Sequence, residues 1–258
     1  MNYKSILLPA LAALLAAACE MVPAEPPRGL EIPGAAAQDN IVEYRGYVTS
    51  YNTETLIPNW VAYELTAEET RGDATRDDKI FSMDLSFKGR QARREDYTRS
   101  GWTKGHMAPA GDFFWSDEAM AETFYFLNIC PQKEELNNKD WQYLEKQVRR
   151  WANQYGRVWV VSGPIVGDNK YGTIGQDHVV VPDAFFKVAL VHDGFRYQAV
   201  AFIMQNDANR YYLENAPFRW MTWNSSPAWI SIRRFRTMWK ISWRLRTILR
   251  SGVCAIKK

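Results

Sequence analysis

The fold depends on one stretch, residues 96–145, whose centre reads TKGHMAPAGD at 103–112 and whose end reads LNNKDWQYLE at 136–145. This stretch concentrates a histidine, several asparagines, aspartates and a glutamate between apolar segments. Histidine can transfer protons near neutral pH, and amide or carboxylate oxygens bind hard cations. The stretch therefore predicts a catalytic site that uses a metal ion.

The composition predicts one mixed domain with attached segments. The chain has 258 residues, of which 47% are apolar and 14% aromatic, enough to bury a sizeable core. Its formal net charge of +3 combines nine lysines and arginines in residues 229–258, which contain no acid, with a body that carries −6. A negative body argues against a broad basic face for nucleic acid, although a local positive cleft can still attract phosphates.

The first 18 residues are interpreted as an export signal. A cation, Lys4, precedes an apolar run rich in alanine and leucine that ends immediately before Cys19. The run resembles a bacterial lipoprotein cleavage box with alanine in place of the usual leucine. We therefore expect an exported cell-envelope lipoprotein, anchored to a membrane through lipid on Cys19. Periplasmic or secreted release, or a retained anchor, are the alternatives. Residues 19–40, rich in proline and alanine, are predicted to be a tether.

The other cysteines and histidines do not indicate a second site. Two cysteines beyond Cys19 are too few for a disulfide framework, and Cys130, beside a proline, is expected to be a buried free thiol. The sequence has no Cys/His zinc spacing, P-loop or Rossmann glycine fingerprint. We interpret His178 and His192 as surface or strand-end residues.

The pattern of apolar residues predicts an α+β fold with an antiparallel sheet core and packed helices, within a domain at residues 41–223. The predicted strands are 41–51, 60–65, 80–83, 124–129, 157–166, 184–191 and 195–204. Breaks are predicted at Pro58-Asn59, in the loop 66–78, across the polar surface segment 88–99, at the turn 162–164 and at the hairpin Asp193-Gly194. A short helix is predicted after Ser116, and a long one between a cap at Asn137 or Asn138 and a stop at Gly156.

The spacing within the central stretch favours hydrolysis of a phosphodiester bond. That reaction needs an activated water, relief of charge on the phosphoryl oxygens and stabilisation of the departing alkoxide. His106 can take the proton from water. Asn137, Trp141 and Glu145 follow at intervals of four, so Asn137 and Glu145 share one side of a helix, with Trp141 expected in the core. The amide can ligate Mg²⁺ while the carboxylate holds the waters of the metal.

A series of short motifs runs in order along the same stretch: Asp96-Tyr97, Ser100-Gly101, Lys104-Gly105-His106, Pro109, Asp112, Asn128, Pro131-Gln132, Leu136-Asn137, Trp141 and Leu144-Glu145. The series continues through SGP at 162–164 and VPDAFFKV at 181–188. In this order the motifs resemble the DNA/RNA non-specific endonuclease family, the endonuclease G-like nucleases with a ββα-metal active-site motif. The resemblance covers residues 41–205.

The resemblance implies a role for particular residues. His106 matches the family's general base, Asn137 its metal ligand and Glu145 the carboxylate that holds the waters of the metal. Asn128 matches a supporting amide. Three cations are implied to bind the substrate: Lys104, Arg76 and Arg149.

The motif at His106 departs from the family, which usually has Asp-Arg-Gly-His where this chain has Thr103-Lys104-Gly105-His106. Lys104 keeps the charge but loses the bidentate fork, and Thr103 removes a carboxylate near the base. The resemblance implies Mg²⁺-dependent cleavage of DNA and RNA with little sequence preference and 5′-phosphate products, with Mn²⁺ or another divalent cation as the alternative metal. The alternative function is a weakened or inactive relative that binds nucleic acid or a protein. An inhibitor protein and the oligomeric state are left open.

The final segment, residues 224–258, is a basic tail with two interpretations. Its loose helical series of apolar residues between cations is typical of an amphipathic helix on an anionic membrane or nucleic acid. The abrupt change in composition after Trp223-Asn224 equally suits a frameshifted or poorly ordered extension.

Overall fold

A computed structural model describes residues 40–211 and residue 213 of the chain. The predicted export signal, nearly all of the tether and the basic tail lie outside the described residues, so these predictions stay predictions. Among the helices of the described part, none is long and apolar enough to cross a membrane.

The described residues form ten strands, three α-helices and three helical turns of the 3₁₀ or π type. The strands are β1 Asn40–Glu43, β2 Val48–Asn52, β3 Ile57–Thr66, β4 Thr103–His106, β5 Ile129–Gln132, β6 Arg157–Ile165, β7 Thr173–Ile174, β8 Val179–Val180, β9 Ala184–His192 and β10 Tyr197–Gln205. The helices are α1 Arg94–Tyr97, α2 Asp117–Glu122 and α3 Gln142–Tyr155. The helical turns are 3₁₀ at Ala110–Asp112 and Phe126–Asn128, and π-helical at Leu136–Trp141.

The centre of the fold is a six-stranded sheet in the order β1-β2-β3-β6-β9-β10, in which every neighbouring pair is antiparallel. Helix α3 packs on this sheet through its buried residues Leu144, Val148, Trp151 and Ala152, which join the main core. A smaller apolar cluster that includes Trp60 and Phe186 lies apart from this core. The predicted α+β fold is confirmed.

The β4–β5 pair and α3 form the unit that carries the candidate site. Strand β4 pairs antiparallel with β5, with His106 opposite Ile129. The π-helical turn and α3 follow β5 in sequence, so two strands and a helix bring the motifs of the central stretch together.

Two predicted breaks were wrong, because both prolines involved lie inside strands. Pro58 is the second residue of β3, and the β3–β6 ladder begins only at Val61 opposite Ser162. Pro164 lies in β6 beyond that same end of the ladder. A missing N–H is tolerated at such positions because no strand is paired there on one side.

Two predicted strands were also wrong. Residues 80–83 contribute only one bridge, between Ser82 and Tyr125, and Ile80 is exposed. The segment 124–129 forms a 3₁₀ turn, and β5 begins only at Ile129. The buried Asn128 side chain donates to the backbone carbonyls of Ala108 and Thr123, which offers the chain an alternative to a strand.

The helix ends were predicted with mixed success. Ser116 caps α2, since its Oγ accepts a hydrogen bond from the Ala119 N–H at 3.2 Å. Gly156 ends α3 with a φ of +79°, a left-handed conformation that suits glycine. Asn137 is not a helix cap: it lies inside the π-helical turn, and its N–H donates to the Lys133 carbonyl. The polar segment 88–99 includes α1, whose Tyr97 is buried.

Candidate active site

His106 ends strand β4, where pairing with β5 fixes its backbone. The close approach of the two strands requires glycine immediately before it. A Cβ atom on Gly105 would lie 2.1 Å from the side-chain oxygen of Gln132. The family-like Gly-His pair is therefore a packing requirement of this hairpin as well as a motif.

The imidazole of His106 is buried and neutral. It is only 9% exposed and packs against the rings of Phe81 and Phe124, with centroids 5.3 Å and 5.1 Å away. Burial, with the nearby Arg76 guanidinium, lowers the pKa of His106 to about 3. Its Nε2 atom is buried and has no hydrogen-bond partner among the described residues. A buried nitrogen without a partner is costly for stability and therefore marks a candidate for function.

The backbone that follows His106 is held by buried side chains. The Asn128 carboxamide accepts from the Ala108 N–H and donates to the Ala108 carbonyl, both at 2.8 Å, and it also donates to the Thr123 carbonyl. The indole N–H of Trp141 donates to the His106 carbonyl at 3.2 Å. The supporting role predicted for Asn128 can therefore be described physically: its side chain fixes the backbone at Ala108, two residues after His106.

Two of the predicted phosphate-binding cations lie around the same aromatic pair. The ammonium of Lys104 is 5.5 Å from the centre of the Phe81 ring, and the guanidinium of Arg76 is 5.9 Å from the centre of the Phe124 ring. Arg76 is exposed, and Lys104 is partly buried with a pKa that burial and Arg94 lower. Both positive charges therefore lie over the two rings that pack on His106, and Arg76 also acts electrostatically on the imidazole.

Asn137 is oriented by Thr103. The Thr103 hydroxyl donates its one proton to the Gln132 carbonyl at 2.8 Å, so it can only accept the hydrogen bond from the Asn137 amide nitrogen at 3.1 Å. The NH₂ group of Asn137 must face Thr103, and its carboxamide oxygen faces away. Among the described residues that oxygen has no hydrogen-bond partner.

Glu145 lies one turn along α3, among charges of both signs. Burial raises its pKa, which the Lys187 ammonium opposes and the Asp112 carboxylate reinforces. Arg149 and Arg76 also favour its ionised form. Arg76 acts on both His106 and Glu145, which puts the base and this carboxylate in one electrostatic environment.

Arg149 is engaged by a buried carboxylate. Its guanidinium lies 2.5 Å from Asp112, whose side chain is fully buried and also accepts a hydrogen bond from the Tyr63 hydroxyl at 2.7 Å. Burial raises the pKa of Asp112 despite these two partners. This ion pair fixes the position of the Arg149 guanidinium, and the role of Arg149 in substrate binding stays a prediction.

The donors fit a hard divalent cation that keeps most of its waters. No group of three or more His, Cys, Asp or Glu side chains that could hold a metal occurs in the part of the chain that the structure describes. The oriented amide oxygen of Asn137 is a suitable direct ligand, and Glu145 can hold waters by hydrogen bonds. This donor set suits Mg²⁺, which binds few protein ligands.

Sequence reasoning missed two contributors to the site. Thr103 was considered only as the loss of a carboxylate, and its bond to Asn137 depends on a contact across 34 positions. Lys187 was part of a quoted motif without a role, although a lysine within an apolar strand run is a visible signal. The other cysteine and histidine predictions agree with the structure: Cys130 is a buried free thiol, His178 is exposed in a turn and His192 ends β9.

Comparisons with known proteins place the chain in a family. The family model for DNA/RNA non-specific endonuclease matches residues 29–230. The mitochondrial nuclease EXOG of Danio rerio is 41% identical over 169 residues, which are 62% of this chain and 49% of that protein. The chain thus spans about half the length of this relative.

Two further matches extend the likeness to endonuclease G. The mitochondrial endonuclease G of Bos taurus is 34% identical over 217 residues, covering 77% of this chain and 72% of the relative. A crystal structure of an EndoG/EndoGI complex, described for the mechanism of EndoG inhibition, matches with a TM-score of 0.66 and 31% identity, over 73% of this chain and 80% of that chain. The chain therefore belongs to the DNA/RNA non-specific endonuclease family.

Proposed function

We propose that this chain is an endonuclease that hydrolyses phosphodiester bonds of DNA and RNA with a divalent metal, most simply Mg²⁺. One observation carries the proposal. His106 is a buried neutral histidine with a nitrogen that has no partner among the described residues, beside exposed and half-buried cations. Such a nitrogen can accept a proton, and the cations can attract a phosphodiester.

His106 acts as the general base. Its imidazole accepts a proton from a water molecule, whose oxygen attacks phosphorus in line with the departing 3′ oxygen. The bond from phosphorus to that oxygen breaks, the oxygen takes up a proton from solvent to become the 3′-hydroxyl, and the other product ends in a 5′-phosphate. Because burial and the Arg76 guanidinium lower the pKa of His106, its imidazole is neutral at physiological pH and the nitrogen lone pair is available to accept a proton.

The other residues bind and orient. Asn137 would hold the metal through its carboxamide oxygen, and Glu145 would hold the waters of the metal. When bound, the cation supplies Lewis-acid stabilisation of the departing oxygen. Arg76 and Lys104 would hold the phosphate. Arg149, whose guanidinium is paired with Asp112, would also bind the substrate. Contacts to phosphate carry no sequence information, which supports cleavage with little sequence preference.

The proposal is tested by incubating the purified chain with supercoiled plasmid and with RNA, each with Mg²⁺, with Mn²⁺ or with chelator. We expect both substrates to be cut in metal and neither in chelator. Products should be ligatable without prior phosphorylation, because they carry 5′-phosphate and 3′-hydroxyl ends. A folded, metal-loaded protein that cuts neither substrate would contradict the enzyme proposal.

The alternative is a relative that binds nucleic acid or a protein without cleavage. It was motivated by Thr103 and Lys104, the two departures from the family motif. The hydrogen bond from Asn137 to Thr103 favours the enzyme, since it gives one departure a use in orienting the metal ligand. Retained binding of a labelled oligonucleotide without cleavage would favour the alternative. The complex in the matched structure makes an inhibitor protein a candidate partner.

We also propose export with lipid on Cys19. The support is the sequence alone, an apolar run that ends in small residues before that cysteine. Labelled palmitate should be incorporated by cells that express the wild-type chain and not by those that express Cys19→Ala. Absence of label from both would remove the lipid proposal. An exported nuclease would spare the genome of the cell that makes it.

A further inference from the structure

Two buried polar side chains face the loop of His106 from the central sheet. Ser162 on β6 and Lys187 on β9 are directly opposite each other in the sheet register. Ser162 is 0% exposed and Lys187 is 1% exposed. Burying an ammonium group is expensive unless it is hydrogen-bonded and paired, so Lys187 must have specific partners.

Both side chains donate to one carbonyl. The Ser162 hydroxyl donates to the Met107 oxygen at 2.7 Å, and the Lys187 ammonium donates to the same oxygen at 3.3 Å. A carbonyl oxygen has two lone pairs and can accept both bonds. Met107 directly follows His106, so the sheet holds the peptide next to the base.

Lys187 also connects this carbonyl to the one before it. Its ammonium lies 4.5 Å from the centre of the Trp141 ring, a distance typical of a cation–π contact. The indole N–H of Trp141 in turn donates to the His106 carbonyl. Two successive carbonyls, those of His106 and Met107, are therefore held by side chains that contact each other.

The charge of Lys187 has counterparts on neighbouring elements. Glu145 on α3 and Asp112 in the 3₁₀ turn Ala110–Asp112 attract the ammonium of Lys187, and Arg149 repels that ammonium. Burial lowers the pKa of Lys187, and the two carboxylates oppose that effect. The ammonium thus has attractive carboxylate partners on two neighbouring elements.

We propose that Lys187 and Ser162 are positioning residues, which hold the Met107 carbonyl and thereby set the imidazole of His106 relative to the scissile phosphate. This inference rests on the proposed nuclease function for its kinetic part. A displacement of the base by about 1 Å can lower a rate about 100-fold, so a modest loosening of this peptide has a measurable cost.

The kinetic test uses Lys187→Met, which keeps an unbranched side chain of similar volume but removes the donor and the charge. We expect kcat to fall roughly 10-fold to 100-fold with KM within about twofold, because the phosphate-binding cations are untouched. Ser162→Ala should lower kcat in the same way by a smaller factor. The matched control is Ser50→Ala, a buried sheet serine whose hydroxyl accepts from Asn59 instead of contacting the His106 loop.

A spectroscopic test separates this inference from the nuclease proposal. The chain has three histidines, so labelling with ¹³C at Cε1 alone gives three ring signals, and His106→Ala identifies the signal of His106. We expect that signal to shift or broaden in Lys187→Met and in Ser162→Ala but not in Ser50→Ala. If Lys187→Met does not fold, Ser162→Ala carries the test alone.

The outcomes decide the inference in each case. A shifted His106 signal with a lower kcat and an unchanged KM supports it. An unmoved signal overturns it whatever the rate does, and a kcat within about twofold of wild type in both folded variants overturns the kinetic role. If the wild-type chain cuts no substrate, the proposed function fails, while the His106 signal still shows whether the peptide is held.

Discussion

The backbone from His106 to Ala108 and the two cations Arg76 and Lys104 are held in place by different kinds of contact. The backbone from His106 to Ala108 is fixed by buried donors and acceptors from four side chains on separate elements: Asn128, Trp141, Ser162 and Lys187. Arg76 and Lys104 instead rest against the faces of aromatic rings, and neither takes part in an ion pair among the described residues.

This difference teaches where precision is needed for the proposed reaction. Proton transfer requires the base within hydrogen-bonding distance of one water, so its peptide is held from several sides. A phosphate can be bound by point charges in many orientations, and a nuclease without sequence preference gains from cations that adapt. Substitutions that release the backbone from His106 to Ala108 should therefore lower activity more than substitutions of Arg76 or Lys104.

Apart from replacement of His106 itself, the largest expected effect comes from Asn128→Ala. It removes three hydrogen bonds of a fully buried amide, two of them to Ala108. We expect the free energy of unfolding to fall by roughly 2–4 kcal/mol and kcat to fall about 100-fold. Denaturant titration measures the first effect and steady-state kinetics the second.

The control for this loss is Asn206→Ala. Asn206 is equally buried, and its side chain makes three hydrogen bonds, to Lys133, Pro131 and Pro182, away from Ala108. Its removal should destabilise the fold similarly with a much smaller effect on kcat. Equal losses of kcat in the two variants would contradict a special role for the loop behind the base.

The next effect concerns Thr103, which orients Asn137. Thr103→Val keeps the shape but removes the hydroxyl, so the amide loses the partner that turns its oxygen away from β5. We expect the Mg²⁺ concentration for half-maximal activity to rise roughly 10-fold to 100-fold, and calorimetric metal affinity to fall in parallel. Thr103→Ser, which retains the hydroxyl, should stay near wild type. A valine variant with unchanged metal dependence would remove this role.

The pH dependence of kcat should report Glu145 and not His106. The pKa of His106 is lowered to about 3, so the imidazole is already neutral over the working range. Burial raises the pKa of Glu145, so its ionised form is gained only above the ordinary range of a glutamate, and activity should rise with pH there. A bound cation shifts this rising part of the pH profile, the limb, to lower pH. Glu145→Gln should be slower and lack the limb; an unchanged limb in that variant would assign it to another group.

The smallest effects are expected at the adaptable cations. Arg76→Gln should lower kcat/KM roughly 10-fold and reduce the dependence of binding on salt by about one charge. Lys104→Arg should preserve or raise activity, since it restores the bidentate fork that the family motif usually has. Measurements of kcat/KM over a salt series test both variants. A larger loss from Arg76→Gln than from Asn128→Ala would reverse the comparison between the two regions.

Local patterns in the sequence predicted much of the fold, and the failures have a common physical cause. The Asp193-Gly194 hairpin, the Ser116 cap and the Gly156 stop depend on neighbouring residues only, and all three are present. The sequence predicts breaks at Pro58 and Pro164, but both prolines lie in strands, beyond the last paired residues of the β3–β6 ladder, Val61 and Ser162. Where the pairing of two strands ends is decided by the whole sheet and cannot be read from adjacent residues.

The site shows the same division. His106, Asn137 and Glu145 were predicted from the order and spacing of motifs. The hydroxyl of Thr103 and the ammonium of Lys187 gain their roles from contacts across 34 and 80 positions. Their residue types alone indicated a lost carboxylate and a lysine in an apolar strand. Only the paired strands place both beside the residues that the motifs identified.

The most direct test of the account is single-turnover cleavage of a labelled duplex DNA and a labelled RNA by wild type and by His106→Ala, both saturated with Mg²⁺. The account predicts that the variant stays folded, binds both substrates and cleaves each at least about 100-fold more slowly. Cleavage by His106→Ala at the wild-type rate would contradict the assignment of His106 as the general base.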